Sequence, residues 1–190
     1  MSGAAADPLA AFVARALARP ASPEIEALVA RLAARPGIAA VLFYGNMLRD
    51  PSAGGLADLY VLTDNDRAWS GRAGPTALGN RLLPPNVYHL RQPPPPPVIP
   101  ANAGISEASA RDPRIRGDDA RETDAPGRSV GAKVAVMRIA AFRHRMRRES
   151  WDTTLWARFA QPAALVWARD QAARDAVATA IATGWRTAAW

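Results

Sequence analysis

The sequence predicts an α+β fold, in which a small mixed sheet with flanking helices is followed by a helical part. Two observations predict this class. Short apolar runs of strand length alternate with helical segments in the first half, and helical periodicity returns after residue 138. A chain of 190 residues that is 49% hydrophobic is also long enough to bury a core of its own.

The N-terminal residues predict two helices with recognisable starts. In DPLAAFVARALA the apolar residues recur at helical spacing, Asp7 is a favourable N-cap and Pro8 suits the first helical position. SPEIEALVARLAARPG repeats the arrangement, with Ser22 as the cap, Pro23 as the first residue and Gly37 at the end. We therefore expect two amphipathic helices before the first strand.

Four apolar runs predict strands, and three helical segments follow them. IAAVLFYG is continuously apolar, which is typical of a strand buried on both faces. The other strands are expected in LADLYVLTDND, PPNVYHLR and SVGAKVAVMRI, with a helix over Arg67–Leu83 between the second and third. The C-terminal helices are expected in AAFRHRMRRES, WDTTLWARFAQP and ARDQAARDAVATAIATGWRTAAW. In the middle helix the helical spacing of the large residues predicts core packing for Trp151, Leu155, Trp156 and Phe159, and a membrane-dipping face is the alternative.

Composition divides the chain into three segments. Residues 1–91 hold the N-terminal helices and a small α/β unit, and residues 128–190 hold a returning strand and the helical C-terminal part. Between them, Gln92–Gly127 has no hydrophobic period and is rich in Pro, Gly and charge. We expect this segment to be a disordered insert that begins as polyproline II helix. No helix cap follows Trp190, which predicts a shortened C-terminus.

The charge balance favours anionic partners. A net charge of +7 and a pI near 11.1 suit nucleotides, nucleic acid or acidic lipid surfaces, and a general arginine-rich composition explains the same values. The absence of cysteine excludes disulfides, cysteine metal sites and a thiolate nucleophile. No apolar run reaches the ~20 residues of a membrane span, and the N-terminus has no secretion signal, so we expect an intracellular protein.

The stretch FYGNMLRDPSAGGLADLYVL contains a candidate phosphate and metal site. A turn at Gly45 lets backbone amides approach an anion closely, and the side-chain amide of Asn46 can donate to it; a plain turn between strands is the alternative. Asp58 begins an apolar strand, where a carboxylate is costly unless it is paired or coordinates a metal. The alternative for Asp58 is a capping bond to the amide of Gly54 or Gly55.

Basic residues supply the other candidates. Lys133 is the only lysine among 24 basic residues and lies in an apolar strand, where its ammonium can reach a phosphate. The alternative is a snorkelling lysine on an edge strand. Arg138, Arg143 and Arg147 belong to a run without an acidic residue, which suits lipid phosphate, an anionic bilayer or nucleic acid. A solvated helix face explains the same run.

Five segments together resemble a known family. FYGNMLR, LADLYVLTD, LLPPNVYHL, VGAKVAVM and TLWARFAQPAALVWARD occur in this order. They resemble the bacterial relatives of the mitochondrial translocator-maintenance phosphatidate cytidylyltransferases. The resemblance covers about Ile38 to Arg91 and Ser129 to Ala182. It implies a nucleotidyltransferase-like first half and a winged-helix-like, helical second half.

The resemblance also implies an activity. The family's reaction converts CTP and phosphatidate into CDP-diacylglycerol and pyrophosphate, with Mg²⁺ as cofactor, for phospholipid synthesis. It implies that Asp58 is the catalytic metal ligand and that Tyr44, Gly45, Asn46 and Lys133 bind the triphosphate. The arginine run is then the candidate contact for phosphatidate in an anionic membrane surface. We expect a cytoplasmic protein that is peripheral to the inner membrane.

Three features depart from the family pattern. Asn46 stands where the family has serine, the segment over residues 92–127 has no counterpart, and the family continues past Trp190. These departures predict low or absent activity. The alternatives are a catalytically inactive relative that binds nucleotide or lipid, and a nucleic-acid-binding winged-helix module, although nucleic acid is not the expected partner. Asp64 and Asp66 are open candidates for assisting the metal.

Overall fold

The structure, a computed structural model, describes residues 7–50, 55–65, 69, 86–91, 131–150 and 153–189. These residues contain a five-stranded mixed sheet and six helices. They belong to one compact unit, which draws on chain from both sides of residues 92–129. The predicted α+β class is therefore confirmed.

The helices are α1 (Pro8–Leu17), α2 (Pro23–Ala33), α3 (Asn46–Arg49), α4 (Ile139–Arg145), α5 (Thr153–Phe159) and α6 (Gln171–Ala188). The strands are β1 (Ile38–Tyr44), β2 (Leu56–Thr63), β3 (Asn86–Arg91), β4 (Gly131–Arg138) and β5 (Ala163–Ala168). A 3₁₀ turn at Arg148–Ser150 follows α4.

The strand order in the sheet is β3-β4-β2-β1-β5. β2 and β4 run parallel, and the other neighbouring strands are antiparallel, so the sheet is mixed. β1 lies between β2 and β5, and all of its residues except Tyr44 are buried. The prediction that this strand is buried on both faces is confirmed.

The capping residues start the first two helices as predicted. The Asp7 carboxylate accepts a hydrogen bond from the Leu9 amide at 3.1 Å, and the Ser22 hydroxyl accepts one from the Ile25 amide at 3.4 Å. Gly37, with a φ of 77°, lies in the turn that leads from α2 into β1. Local sequence signals therefore account for both N-terminal helices.

An apolar layer covers each face of the sheet. Helices α1, α4, α5 and α6 pack on one face around Tyr60, Phe142 and Phe159. The Phe142 and Phe159 ring centroids are 5.3 Å apart, and those of Tyr60 and Phe159 are 5.5 Å apart. We call this side the aromatic face. Helix α2 packs on the opposite face, and the two layers bury the sheet between them.

The sequence analysis predicts three helices and no strand after β4, and the absence of a strand is wrong. The sequence analysis assigned no strand to Ala163–Ala168, and these residues form β5 at the edge of the sheet, paired with β1. Half of this six-residue run is alanine, and it lies between two helices, so its own pattern favours neither state. Pairing with the exposed edge of β1 decides the conformation.

Several predicted elements differ in extent or lie outside the described residues. The helix expected in AAFRHRMRRES ends at Arg145 and gives way to the 3₁₀ turn. Only Trp69 is described from the helix expected over Arg67–Leu83. The insert expected at Gln92–Gly127 and the side chain of Trp151 lie outside the described residues. The core positions expected for Leu155 and Phe159 are confirmed, and Trp156 packs at the edge of the core.

The ends of β3 and β4 suggest that residues 92–130 are dispensable for folding. Arg91 pairs with Gly131 in the antiparallel ladder, so the chain leaves β3 directly beside the point where β4 begins. In β-hairpins, a two-residue Asn-Gly turn joins two antiparallel strands whose end residues are paired in this way. Replacing residues 92–130 with Asn-Gly is expected to leave the cooperative unfolding transition intact, as measured by circular dichroism during thermal denaturation. Loss of that transition would contradict the prediction.

Candidate functional site

A glycine turn ends β1 on the aromatic side of the sheet. Gly45 has a φ of 92°, a backbone conformation that L side chains rarely adopt, and α3 begins at the next residue, Asn46. Gly45 is half-buried, whereas Asn46 is exposed. The turn therefore presents backbone and an amide side chain at one end of the sheet.

The carboxylate of Asp58 lies against this turn. Tyr44 and Asp58 are partners in the antiparallel ladder of β1 and β2. A Cβ atom added to Gly45 would lie 2.6 Å from Oδ2 of Asp58, closer than real Cβ contacts allow. Only glycine lets the turn and the carboxylate approach this closely. The structure thus brings together two of the residues that the sequence analysis selected.

Lys133 occupies the neighbouring position on the next strand. It is the register partner of Asp58 in the parallel β2–β4 pair, and it is exposed. β4 lies between β3 and β2, so the alternative of an edge-strand lysine is wrong. His89, also exposed, is the partner of Lys133 on β3.

These residues form one line across the sheet, which we call the cross-strand row: Tyr44, Asp58, Lys133 and His89. Register partners point to the same face, and Tyr44 packs against the core of the aromatic face. The whole row therefore belongs to that face. Neighbouring strands are about 4.8 Å apart, so a lysine side chain on β4 can reach a ligand seated over Asp58.

Arg158 adds a second positive charge beside the turn. Its guanidinium carbon is 5.5 Å from the centroid of the Tyr44 ring. Burial raises the pKa of Tyr44, and the charge of Asp58 adds to this shift, while the charge and hydrogen bond of Arg158 oppose it. The phenol consequently stays protonated at neutral pH and can donate a hydrogen bond.

The sequence analysis did not select Arg158. Leu155 and Phe159 form the buried stripe of α5, and Arg158 lies three residues after Leu155 on the flank of that stripe. A cation at the flank of a buried helical stripe was the sequence signal that could have identified Arg158 as a site residue. Its proximity to Tyr44 depends on how α5 packs on the sheet, where the Tyr44 and Phe159 centroids are 5.6 Å apart.

The acidic residues determine which metal the site suits. Within the described part of the chain, no three His, Cys, Asp or Glu side chains are grouped closely enough to hold a metal ion. Asp64 lies past the opposite end of β2 and forms a salt bridge with Arg169, and Asp66 lies outside the described residues. Mg²⁺ often takes one or two carboxylates and completes its shell with water and substrate phosphates. Asp58 therefore fits a Mg²⁺ that arrives bound to a triphosphate.

The three arginines selected for lipid contact lie at the end of β4, in α4 and just after α4. Arg138 ends β4 opposite Thr63, five residues from Lys133 and thus roughly 16 Å along the strand. Arg143 is exposed on α4. Arg147 lines a cleft between the end of α4 and the last turns of α6. Of the three, Arg147 alone lines this cleft, and a lipid-contact role for Arg138 and Arg143 stays a prediction.

A scan against protein-family models finds no match for this chain, and a search of curated proteins finds none either. None of the helices in the described ranges combines the length and apolar character needed to cross a bilayer. Fold and site alone therefore define the class. It is a mixed α+β protein with a glycine turn, one carboxylate and one lysine aligned at one end of the sheet.

Proposed function

We propose that this protein is a Mg²⁺-dependent nucleotidyltransferase of the phosphatidate cytidylyltransferase type, with a nucleotidyltransferase-like sheet and a winged-helix-like C-terminal part. It joins CTP and phosphatidate to give CDP-diacylglycerol and pyrophosphate. The observation that carries the proposal is the contact between the Asp58 carboxylate and the Gly45 turn, with Lys133 in register beside them.

The turn is the proposed seat of the triphosphate. Because Gly45 has no side chain, phosphate oxygens can approach the backbone amides that follow it. The Asn46 amide and the protonated Tyr44 hydroxyl are additional donors. These groups orient the α-phosphate with its leaving group pointing away from the acceptor.

In the proposed reaction, charged residues stabilise the phosphates while one bond to the α-phosphorus forms and another breaks. An oxygen of the acceptor phosphate bonds to the α-phosphorus while the bond to the bridging oxygen of the β-phosphate breaks, and pyrophosphate leaves with the electron pair. Asp58 would anchor a Mg²⁺ that arrives with the nucleotide, and the ion would supply charge neutralisation at the phosphates. Lys133 and Arg158 approach from two sides and stabilise the charge that develops on the leaving pyrophosphate.

The proposed location follows from the substrates. Phosphatidate lies in an anionic membrane surface, and the formal net charge of +7 attracts the protein to such a surface. We therefore propose a cytoplasmic protein peripheral to the inner membrane. Co-sedimentation with phosphatidate-containing vesicles at low and high salt tests this placement.

Lys133→Ala is expected to weaken CTP·Mg²⁺ binding about tenfold, because one charge-assisted contact to phosphate is lost. Isothermal titration calorimetry with CTP, with and without Mg²⁺, measures the effect. Arg174→Ala removes an exposed positive charge from the start of α6 and is the matched control, with no expected change. Equal affinity of the Lys133→Ala variant and the parent protein would remove Lys133 from the site.

Pyrophosphate release distinguishes an enzyme from an inactive binder. A single described carboxylate at the site favours the second candidate, a relative that binds the nucleotide without transfer. Release of pyrophosphate from CTP that requires phosphatidate supports the enzyme. CTP·Mg²⁺ binding without such release supports the inactive relative, and absence of CTP binding rejects both.

A further inference from the structure

A second polar cleft, separate from the cross-strand row, lies among the helices of the aromatic face. It has a volume of about 500 Å³, which is within the range of small-molecule sites. It lies between the residues that follow α4 and the last turns of α6. Its basic and hydroxyl-bearing lining consists of His144, Arg147, Arg148, Arg186, Thr183 and Thr187.

The cleft walls are joined by specific contacts. The Thr187 hydroxyl donates to the carbonyl of Met146 at 3.0 Å, and Met146 is fully buried. A Cβ added to Gly184 would lie 2.7 Å from the sulfur of Met146, so glycine permits the close approach of α6. The Thr183 hydroxyl donates to the carbonyl of Thr179. Both threonine protons are thus used within the walls, and the exposed guanidinium of Arg147 is a donor that can reach a ligand in the cleft.

The charge of the cleft favours an anion. Three guanidinium groups line it, whereas Glu149 is the only carboxylate among the lining residues that the structure describes. Asp7, at the start of α1, forms a 2.7 Å salt bridge with Arg186 and holds that side chain in place. Arginine presents paired N–H groups that match the oxygens of a phosphate.

The cleft lies at the same end of the sheet as the Gly45 turn. β5 begins opposite Tyr44 and runs away from it, and α6 then returns over 18 residues toward the Tyr44 end. The indole of Trp185, next to Arg186, donates to the carbonyl of Phe159 at 2.7 Å. The Phe159 ring in turn packs on Tyr44. Two direct contacts therefore connect Trp185, the neighbour in sequence of the lining residue Arg186, with Tyr44 at the end of β1.

We propose that this cleft binds a phosphomonoester group. A phosphomonoester is mostly dianionic near neutral pH, since its second pKa is about 6, and the clustered arginines suit that charge. In a further step that rests on the proposed function, the ester is the acceptor of nucleotidyl transfer. The cleft then holds the acceptor while the turn holds the nucleotide.

The test uses the full chain without nucleotide, so that its outcome is independent of Asp58 and CTP. Glycerol 3-phosphate and inorganic phosphate are titrated by calorimetry at constant ionic strength. Arg147→Ala is expected to weaken glycerol 3-phosphate binding about tenfold, and Arg147→Lys, which keeps the charge but loses the paired donors, by about threefold. Glu149→Gln removes the opposing carboxylate and is expected to tighten binding.

Arg174→Ala is the matched control, because Arg174 is exposed on α6 and does not line the cleft. Its affinity is expected to equal that of the parent chain. Equal losses in the Arg174 and Arg147 variants, or no binding of either phosphate, would overturn the proposal in favour of a diffuse positive surface. If the cleft binds phosphate while CTP does not bind the chain, the nucleotidyltransferase proposal fails and the cleft stands.

A comparison of vesicles distinguishes a lipid phosphomonoester from a soluble phosphomonoester as the ligand. Vesicles of phosphatidylcholine with phosphatidate are compared with vesicles in which phosphatidylglycerol, a phosphodiester, replaces the phosphatidate at matched charge. Preference for phosphatidate that is lost in Arg147→Ala supports a lipid phosphomonoester as the ligand. Glycerol 3-phosphate binding without any preference between the vesicles supports a soluble phosphomonoester instead. In both cases the cleft is the binding site.

Discussion

Asp58→Asn is expected to abolish nucleotidyl transfer and to weaken Mg²⁺-dependent CTP binding by about a hundredfold. The substitution keeps the shape of the side chain but removes the one carboxylate that lies against the Gly45 turn. A neutral amide oxygen is a poor anchor for a hard divalent cation, and each 1.4 kcal/mol of lost interaction corresponds to about a factor of ten. Pyrophosphate release with saturating phosphatidate measures transfer, and calorimetry measures binding.

The control for Asp58 is Asp175→Asn. Asp175 is exposed on α6, where its carboxylate accepts a hydrogen bond from Gln171, and the chemical change is the same. Transfer and binding are expected to stay at the parent level in this variant. CTP binding without Mg²⁺ is expected to change little in either variant, because Asp58 acts through the metal. Transfer by Asp58→Asn within about twofold of the parent rate would remove the metal role.

Gly45→Ala is expected to destabilise the protein by about 1–3 kcal/mol and to eliminate CTP binding. An alanine at φ 92° is strained, and its Cβ would overlap the Asp58 carboxylate, so the turn or the carboxylate must move. Either movement separates the two groups that are proposed to hold CTP and Mg²⁺. Urea denaturation measures the stability, and CTP titration in Mg²⁺ measures the binding.

Gly55→Ala distinguishes backbone strain from overlap with the Asp58 carboxylate as the cause of the Gly45→Ala effect. Gly55 also has a positive φ, 110°, but a Cβ there meets no atom within 4 Å. This variant is expected to show the backbone strain without loss of CTP binding. In Asp58→Ala, the further change Gly45→Ala is expected to cost less stability, since the overlap is gone. Equal costs in both backgrounds would show that strain alone acts at Gly45.

Local signals in the sequence predict much of the framework. Asp7 and Ser22 cap their helices because a side-chain oxygen next to free amides acts within a few residues. The apolar run that forms β1 predicts a buried strand for the same local reason. β5 was missed because its conformation depends on pairing with β1, which lies more than 100 residues earlier.

The candidate site, like the fold, was predictable from the sequence only in part. Its components are visible in the sequence: a glycine that tolerates a positive φ, an isolated carboxylate in an apolar strand and a solitary lysine. Tertiary packing made Asp58 the register partner of Lys133, brought Arg158 beside Tyr44, and placed Asp64 and Arg138 at the other end of the sheet. Residue chemistry is local, whereas strand register and helix packing arise from contacts between distant segments, which no single stretch of sequence specifies.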